Sequence, residues 1–253
     1  MSAVQGTPGR QVVLGTVLDA LTMRDVVARC VDAIDDGRRI SIGVVNAAKI
    51  VNMRGDAMLR ESVLDCDLVL ADGQAVVWAS RVLGHPLPER VAGIDLFLEL
   101  LAEGARRGHR VYFLGARPEV LSRVLDEVRR RFPGLVVAGA RDGYFTDDEA
   151  GQVAREIAAT RADMLFLGIT SPKKEIFVGE WGETTGAKII HGVGGSFDIL
   201  AGETRRAPRA WQRLGLEWLY RLLQEPMRLG PRYLKTNAAF LLMLARERLR
   251  RRR

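Results

Sequence analysis

Apolar and polar positions follow two rhythms along this chain. Val12 to Asp19 alternates closely enough to predict a short strand or hairpin. Met23, Val26, Val27, Cys30, Val31 and Ile34 then recur at helical spacing, with Thr22 as N-cap and Gly37 as the stop. Ile40 to Val45 reads as a buried strand ending at Asn46. A helical stretch follows to about Val63, and Asp67 to Ala71 forms a second buried strand ending at Asp72-Gly73. Helices are expected at about 74–84 and 94–107. From Arg110 the pattern sharpens: strands Arg110 to Leu114, Leu135 to Ala140, Asp163 to Gly168 and Ala187 to Val193 alternate with helices 118–132, 146–160 and 171–182.

Strands alternating with helices of this length predict an α/β fold, built of right-handed βαβ units with a parallel sheet covered on both faces. Ligands of such sheets bind beyond the carboxyl ends of the strands. Asn46, Asp72, Gly115, Gly168 and Gly194 all fall at such ends.

With 253 residues and 47% hydrophobic content, the chain can bury a sizeable core. Cys30 lies on the apolar face of its helix, which favours a reduced thiol in a cytoplasmic protein over a disulfide. The N-terminus carries no apolar secretion signal, and residues 1–10 read as a disordered leader. The longest apolar run, Ala238 to Ala245, is far short of the roughly 20 residues that span a bilayer. The net charge of +7 is concentrated after Arg205, ending in Arg250-Arg251-Arg252-Arg253. There Trp211, Trp218, Tyr220, Tyr233 and several leucines adjoin the arginines, the pattern of helices lying on an anionic membrane surface. Packing against the core is the plainer alternative. Nucleic acid is disfavoured, because the aromatics sit among leucines rather than on an open basic sheet.

Several constellations can carry chemistry. Asp72, at a strand end before Gly73, can accept a proton from an incoming hydroxyl, or merely cap the helix beginning near Gln74. The turn from His191 to Asp198, with Gly194 and Gly195, offers free backbone N–H groups to a diphosphate. His191 itself reads as a packed strand residue. Ser171 and Pro172 suit an N-cap and first helical position, and Lys173 and Lys174 beside them invite an anion or are simply solvated. Arg90 can clamp a diphosphate or pair with Glu89 or Asp95. Asp65-Cys66-Asp67 matches a metal-holding D-x-D only superficially, and no His/Cys cluster has ligand spacing.

In combination these residues resemble the WecG/TagA/CpsF family (glycosyltransferase family 26), from about Val12 to about Tyr233. The resemblance rests on Val45-Asn46, Leu70-Ala71-Asp72-Gly73, Arg90-Val91-Ala92-Gly93-Ile94-Asp95, Ser171-Pro172-Lys173-Lys174-Glu175, Gly192 to Asp198, Arg206-Ala207-Pro208-Arg209 and Gly215 to Leu222. It implies a Rossmann-like catalytic domain over 11–204 and a basic, amphipathic, membrane-associating helical appendage over 205–253. It also implies inverting, metal-independent transfer from a UDP-sugar to a polyprenyl-diphosphate-linked sugar. The enzyme would sit peripherally on the inner face of the plasma membrane, with no cofactor; its oligomeric state, a homo-oligomer included, is left open.

By the same resemblance Asp72 would be the general base. Asn46, Arg90, Asp95 and Lys174 would bind substrate, and Arg221 and Arg228 would meet the lipid diphosphate. Gly115, Pro172, Lys173, Gly194, Gly195 and Asp198 would hold the nucleotide. N-acetylmannosamine is the expected donor sugar, with glucose or a uronic acid as alternatives. The chain departs from the family pattern in carrying Val44 for a Thr, Lys174 for a Gln, and Pro231 for an appendage arginine. Two rival readings remain. An oxidoreductase would need a G-x-G-x-x-G turn, which is not found. A non-enzymatic membrane- or nucleic-acid-binding module would rely on the basic tail alone.

Overall fold

A computed structural model describes residues 9–250, apart from the side chains of Arg228 and Arg232. The chain opens with an antiparallel hairpin, β1 (Arg10–Val13) and β2 (Thr16–Asp19). Arg10 is therefore a strand residue rather than part of a leader, its guanidinium held by Asp19; residues 1–8 of the expected leader lie outside the described residues. The expected hairpin is present, as is α1 (Met23–Asp35), where Thr22 and Asp25 form a capping box.

Six parallel strands make the central sheet: β3 (Ile40–Val45), β4 (Leu68–Ala71), β5 (Arg110–Gly115), β6 (Val136–Arg141), β7 (Met164–Gly168) and β8 (Ile189–Gly192). Their order is β4-β3-β8-β7-β5-β6. The helical stretch after β3 is two helices, α2 (Ala47–Asn52) and α3 (Ala57–Leu64). The chain turns at Gly55, and Asp56 accepts the amide of Leu59 to start afresh. The other body helices are α4 (Gln74–Val82), α5 (Gly93–Arg107), α6 (Pro118–Arg131), α7 (Asp147–Ala159), α8 (Lys173–Trp181) and α9 (Ser196–Leu200).

Successive strand side chains point to opposite faces. Ile42, Leu70, Phe113, Phe166 and Ile189 turn to one face, covered by α1, α5, α6 and α9. Val45, Val69 and Ala71 turn to the other, under the hairpin, α2, α3 and α4; farther along that face, Leu114, Leu165 and Leu167 lie under α7 and α8. After β5 the chain moves outward to β6, whereas after β7 it moves the opposite way to β8. That reversal opens a crevice at the carboxyl ends of β5 and β7. There Gly115 adopts φ +136°, and a Cβ on it would lie 2.4 Å from the carbonyl carbon of Gly168.

Beyond residue 204 come α10 (Arg209–Arg213), α11 (Glu217–Gln224) and α12 (Pro226–Arg250). The last helix lies against the body: Phe240 is buried, Met243 and Leu244 pack beside it, and Arg248 donates to the carbonyl of Val82. Among the described residues no helix is long and apolar enough to cross a membrane.

Candidate active site

The site is built where β3, β4 and β8 end. Asp72 follows β4, and its amide donates to the carbonyl of Val45 (2.9 Å). Its side chain does not cap α4, whose N-cap is Gly73 without a side-chain bond. Asp72 Oδ1 instead accepts the amide of Gly93 at 3.0 Å. Gly93 opens α5, which has no side-chain cap of its own. The carboxylate thus serves an orphan N–H at the positive end of a fifteen-residue helix. Burial pushes the Asp72 carboxyl above its ordinary range; the Gly93 bond and Arg90 work against this, Glu217 adds to it, and Arg221 opposes it. Beside it Asn46 caps α2 by accepting the amide of Lys49 (3.0 Å). A Cβ on Gly73 would meet the Asn46 Cβ at 3.1 Å, so the turn after β4 tucks closely against the end of β3.

Arg90 and Asp95 join a ring of four charges. Arg90 donates to Glu217 at 3.0 Å and faces Asp95 at 3.7 Å. Arg206 grips Asp95 with both terminal nitrogens (2.6 and 2.8 Å) and donates to Glu217 at 3.2 Å. The pairings of Arg90 expected from its neighbours come out as Asp95 together with an appendage carboxylate; Glu89 instead accepts the amide of Met23. Next to the ring, Gln74, Arg90, Arg209, Gln212 and Arg213 line a cavity of about 440 Å³. Three guanidiniums and no carboxylate around one cavity favour an anion. Arg209 and Arg213 carried no signal in the sequence beyond the general basicity of the appendage.

The lysine pair divides. Lys173 Nζ donates to the carbonyls of Gly143 and Phe145 and lies 3.7 Å from the centroid of the Phe145 ring, so its ammonium braces the loop before α7. Lys174 lies across Gly192, where a Cβ would come within 2.6 Å of its Cδ, and pairs with Glu175 at 3.0 Å. Pro172 is the N-cap of α8, and Ser171 donates its hydroxyl to Glu175 rather than capping, so the helix begins at Lys173. Glu175 is buried, and its Oε2 has no hydrogen-bond partner. Lys49 lies in the same neighbourhood; burial and then the charge of Lys174 lower its pKa. Nothing in the sequence marked it out.

Gly194 (φ +51°) and Gly195 form an open turn: a Cβ on Gly194 would meet nothing within 4 Å, and one on Gly195 only Asp198 Oδ2, at 3.7 Å. Arg221 acts electrostatically on Asp72 from α11. Arg228 falls on α12 with its side chain outside the described residues. Asp67 accepts the amide and hydroxyl of Ser41 (both 2.7 Å), and Asp65 is the C-cap of α3, so this pair has structural work. Among the described residues no group of His, Cys, Asp and Glu side chains is arranged to hold a metal ion.

The model of the WecG/TagA/CpsF family of glycosyl transferases matches residues 11–253. The chain belongs to this glycosyltransferase family. It is also 40% identical, over 177 residues, to the N-acetylglucosaminyldiphosphoundecaprenol N-acetyl-beta-D-mannosaminyltransferase of Bacillus spizizenii. The match covers 70% of this chain and 66% of that relative, just under two thirds of its length. In this member of the family, then, the carboxyl edge of the sheet brings together Asn46, Asp72, Arg90, Asp95, Lys174 and the glycine turn. Lys173 is the residue the fold draws away to another task.

Proposed function

We propose that this protein transfers a hexosyl group, N-acetylmannosamine or a close relative, from a UDP-sugar to a sugar carried on a polyprenyl diphosphate. The observation that carries this reading is Asp72, anchored through Oδ1 to the start of α5 and set near an arginine-lined cavity. The acceptor hydroxyl attacks the anomeric carbon while the bond to the UDP oxygen breaks, inverting that centre. The hydroxyl proton passes to Asp72, whose raised pKa brings it closer to the operating pH of a base. UDP leaves with its added negative charge met by Lys174, Lys49 and the amides around Gly194 and Gly195, without a metal. The acceptor diphosphate occupies the cavity of Arg90, Arg209 and Arg213, with Arg221 contributing from the appendage.

The appendage suits a lipid-borne acceptor. On α12, Met227, Leu234 and Leu241 recur every seven residues and are 91%, 77% and 63% exposed. Leu229, Thr236 and Phe240 are buried on another side of the same helix. An apolar stripe left bare, with Arg246, Arg248 and Arg250 nearby, is the form of a helix resting in an anionic leaflet. In this reading the enzyme works peripherally on the inner face of the plasma membrane, where UDP-sugars are available.

A second reading concerns the donor. Lys49 beside Lys174, where the family commonly has a Gln, favours a donor sugar bearing a carboxylate. The test is a donor panel: purified full-length protein, a set of UDP-hexosamines, UDP-hexoses and UDP-uronic acids, and a short-chain lipid-diphosphate N-acetylglucosamine. Formation of a disaccharide of inverted configuration, undiminished by a chelator, is expected. No transfer from any donor would refute the proposal.

A further inference from the structure

His191 is fully buried on β8, among the side chains that pack under α5, with the Phe166 ring edge-on at 6.3 Å. An imidazole is a costly choice there. Burial pulls its pKa down to about 4, so the ring is neutral; its Nδ1 makes no well-formed hydrogen bond, and the backbone of Ile42 beside it offsets only part of the burial. An aliphatic residue would fill the position without stranding a polar atom, and a buried unpaired group calls for a reason. The reason lies at the other nitrogen. Nε2 meets the carbonyl oxygen of Gly93 at 3.1 Å, and a neutral ring with its proton there donates to it. The amide of the same glycine donates to Asp72 Oδ1 at 3.0 Å.

We infer that His191 is a positioning residue for the transfer reaction, fixing the first residue of α5 so that its amide stays aimed at Asp72. Gly93 has no side chain to hold it, and a methyl group there would come within 3.4 Å of Val44 and 3.7 Å of His191 Cε1. The glycine lies close to Val44 and His191, and among the described residues the imidazole is the side chain that bonds its carbonyl, as Asp72 bonds its amide. With Oδ1 engaged by Gly93, the other carboxylate oxygen is the one left to take the proton. This rests on the reading of Asp72 as base. Charges that also act on Asp72 are Arg90, Glu217, Arg221 and Lys49; those acting on His191 are Lys174 and Lys49.

The test compares two unbranched replacements in the full-length enzyme. His191→Gln keeps an N–H donor at similar reach, and His191→Met removes it at similar size. With the glutamine variant, turnover stays within about twofold of the parent and the acid limb of the kcat/KM profile is unmoved. With methionine, kcat falls roughly tenfold while both KM values hold. Its acid limb also moves to higher pH, because a carboxylate that loses an N–H partner is harder to ionise. If the methionine variant fails to fold, His191→Val supplies the same deletion with a strand-favouring side chain. Equal kinetics and equal acid limbs for donor and non-donor variants would overturn the inference. A failure of the Asp72 reading shows itself separately, as turnover persisting in Asp72→Asn.

Discussion

The body of the molecule and its appendage are held by different forces. In the body, each sheet face is sealed by a continuous apolar layer, with Phe97 and Phe113 in ring contact with each other and with both Phe166 and Phe197. Residues 205–250 meet the body through the four-charge ring, the seat of Gly215 over Gln74 and Trp78, and a narrow seam on α12 where Phe240 is buried with Met243 and Leu244 beside it. Their own aromatics pair with each other, Trp211 with Tyr220 and Trp218 with Tyr233. A core held by burial is insensitive to salt, whereas part-exposed ion pairs are screened and weak. The contrast suits the proposed transfer to a lipid-borne acceptor, which needs a rigid edge for the chemistry and would gain from a cover able to adjust to a membrane.

Breaking the membrane side of the contrast should have the largest effect. Replacing Met227, Leu234 and Leu241 together with serine removes about 1.5–3 kcal/mol of burial per side chain. Partition onto anionic vesicles, followed by sedimentation, should fall at least a hundredfold, with the melting temperature nearly unchanged. Unaltered binding would show that the stripe does not face lipid.

The ring is the next target. Glu217→Lys removes two ion pairs and sets a third cation beside Arg90 and Arg206. A loss of roughly 2 kcal/mol from these half-buried pairs is expected, less than for a fully buried pair. Tryptic cleavage within 205–225 should quicken tenfold or more while the body stays folded. Cleavage at the parental rate would mean that the apolar seam alone holds the appendage.

The smallest effect lies inside the body. His191 has its pKa depressed from 6.5 to about 4 on folding, so its contribution is intact above 6.5 and is lost as pH falls towards 4. By pH 5.5 the loss should be roughly 1 kcal/mol, read as a fall in urea midpoint that His191→Gln does not share. Identical acid sensitivity in both proteins would place the effect elsewhere.

Local pattern carried most of the body. Ile40 to Val45 and Asp163 to Gly168 are apolar enough to be strands buried on both faces, and their ends marked Asn46 and Gly168 as edge residues. What stayed hidden depends on strand order. Nothing in the spacing says that β8 inserts beside β3, which is what brings His191 and Lys174 into one neighbourhood with Asn46 and Lys49. Lys173 and Lys174 look equivalent in sequence, yet helical geometry turns one to Phe145 and the other across Gly192. Of the two roles open to Asp72, capping the next helix is not realised: its carboxylate accepts the first amide of α5, twenty-one residues along the chain, and the role towards substrate is the one proposed above.

Proton transfer to Asp72 is the step on which the proposed reaction depends. In Asp72→Asn, UDP should bind with unchanged affinity by calorimetry, while single-turnover transfer to the lipid-linked acceptor falls roughly a hundredfold or more. Transfer at close to the parental rate, with UDP bound normally, would contradict it.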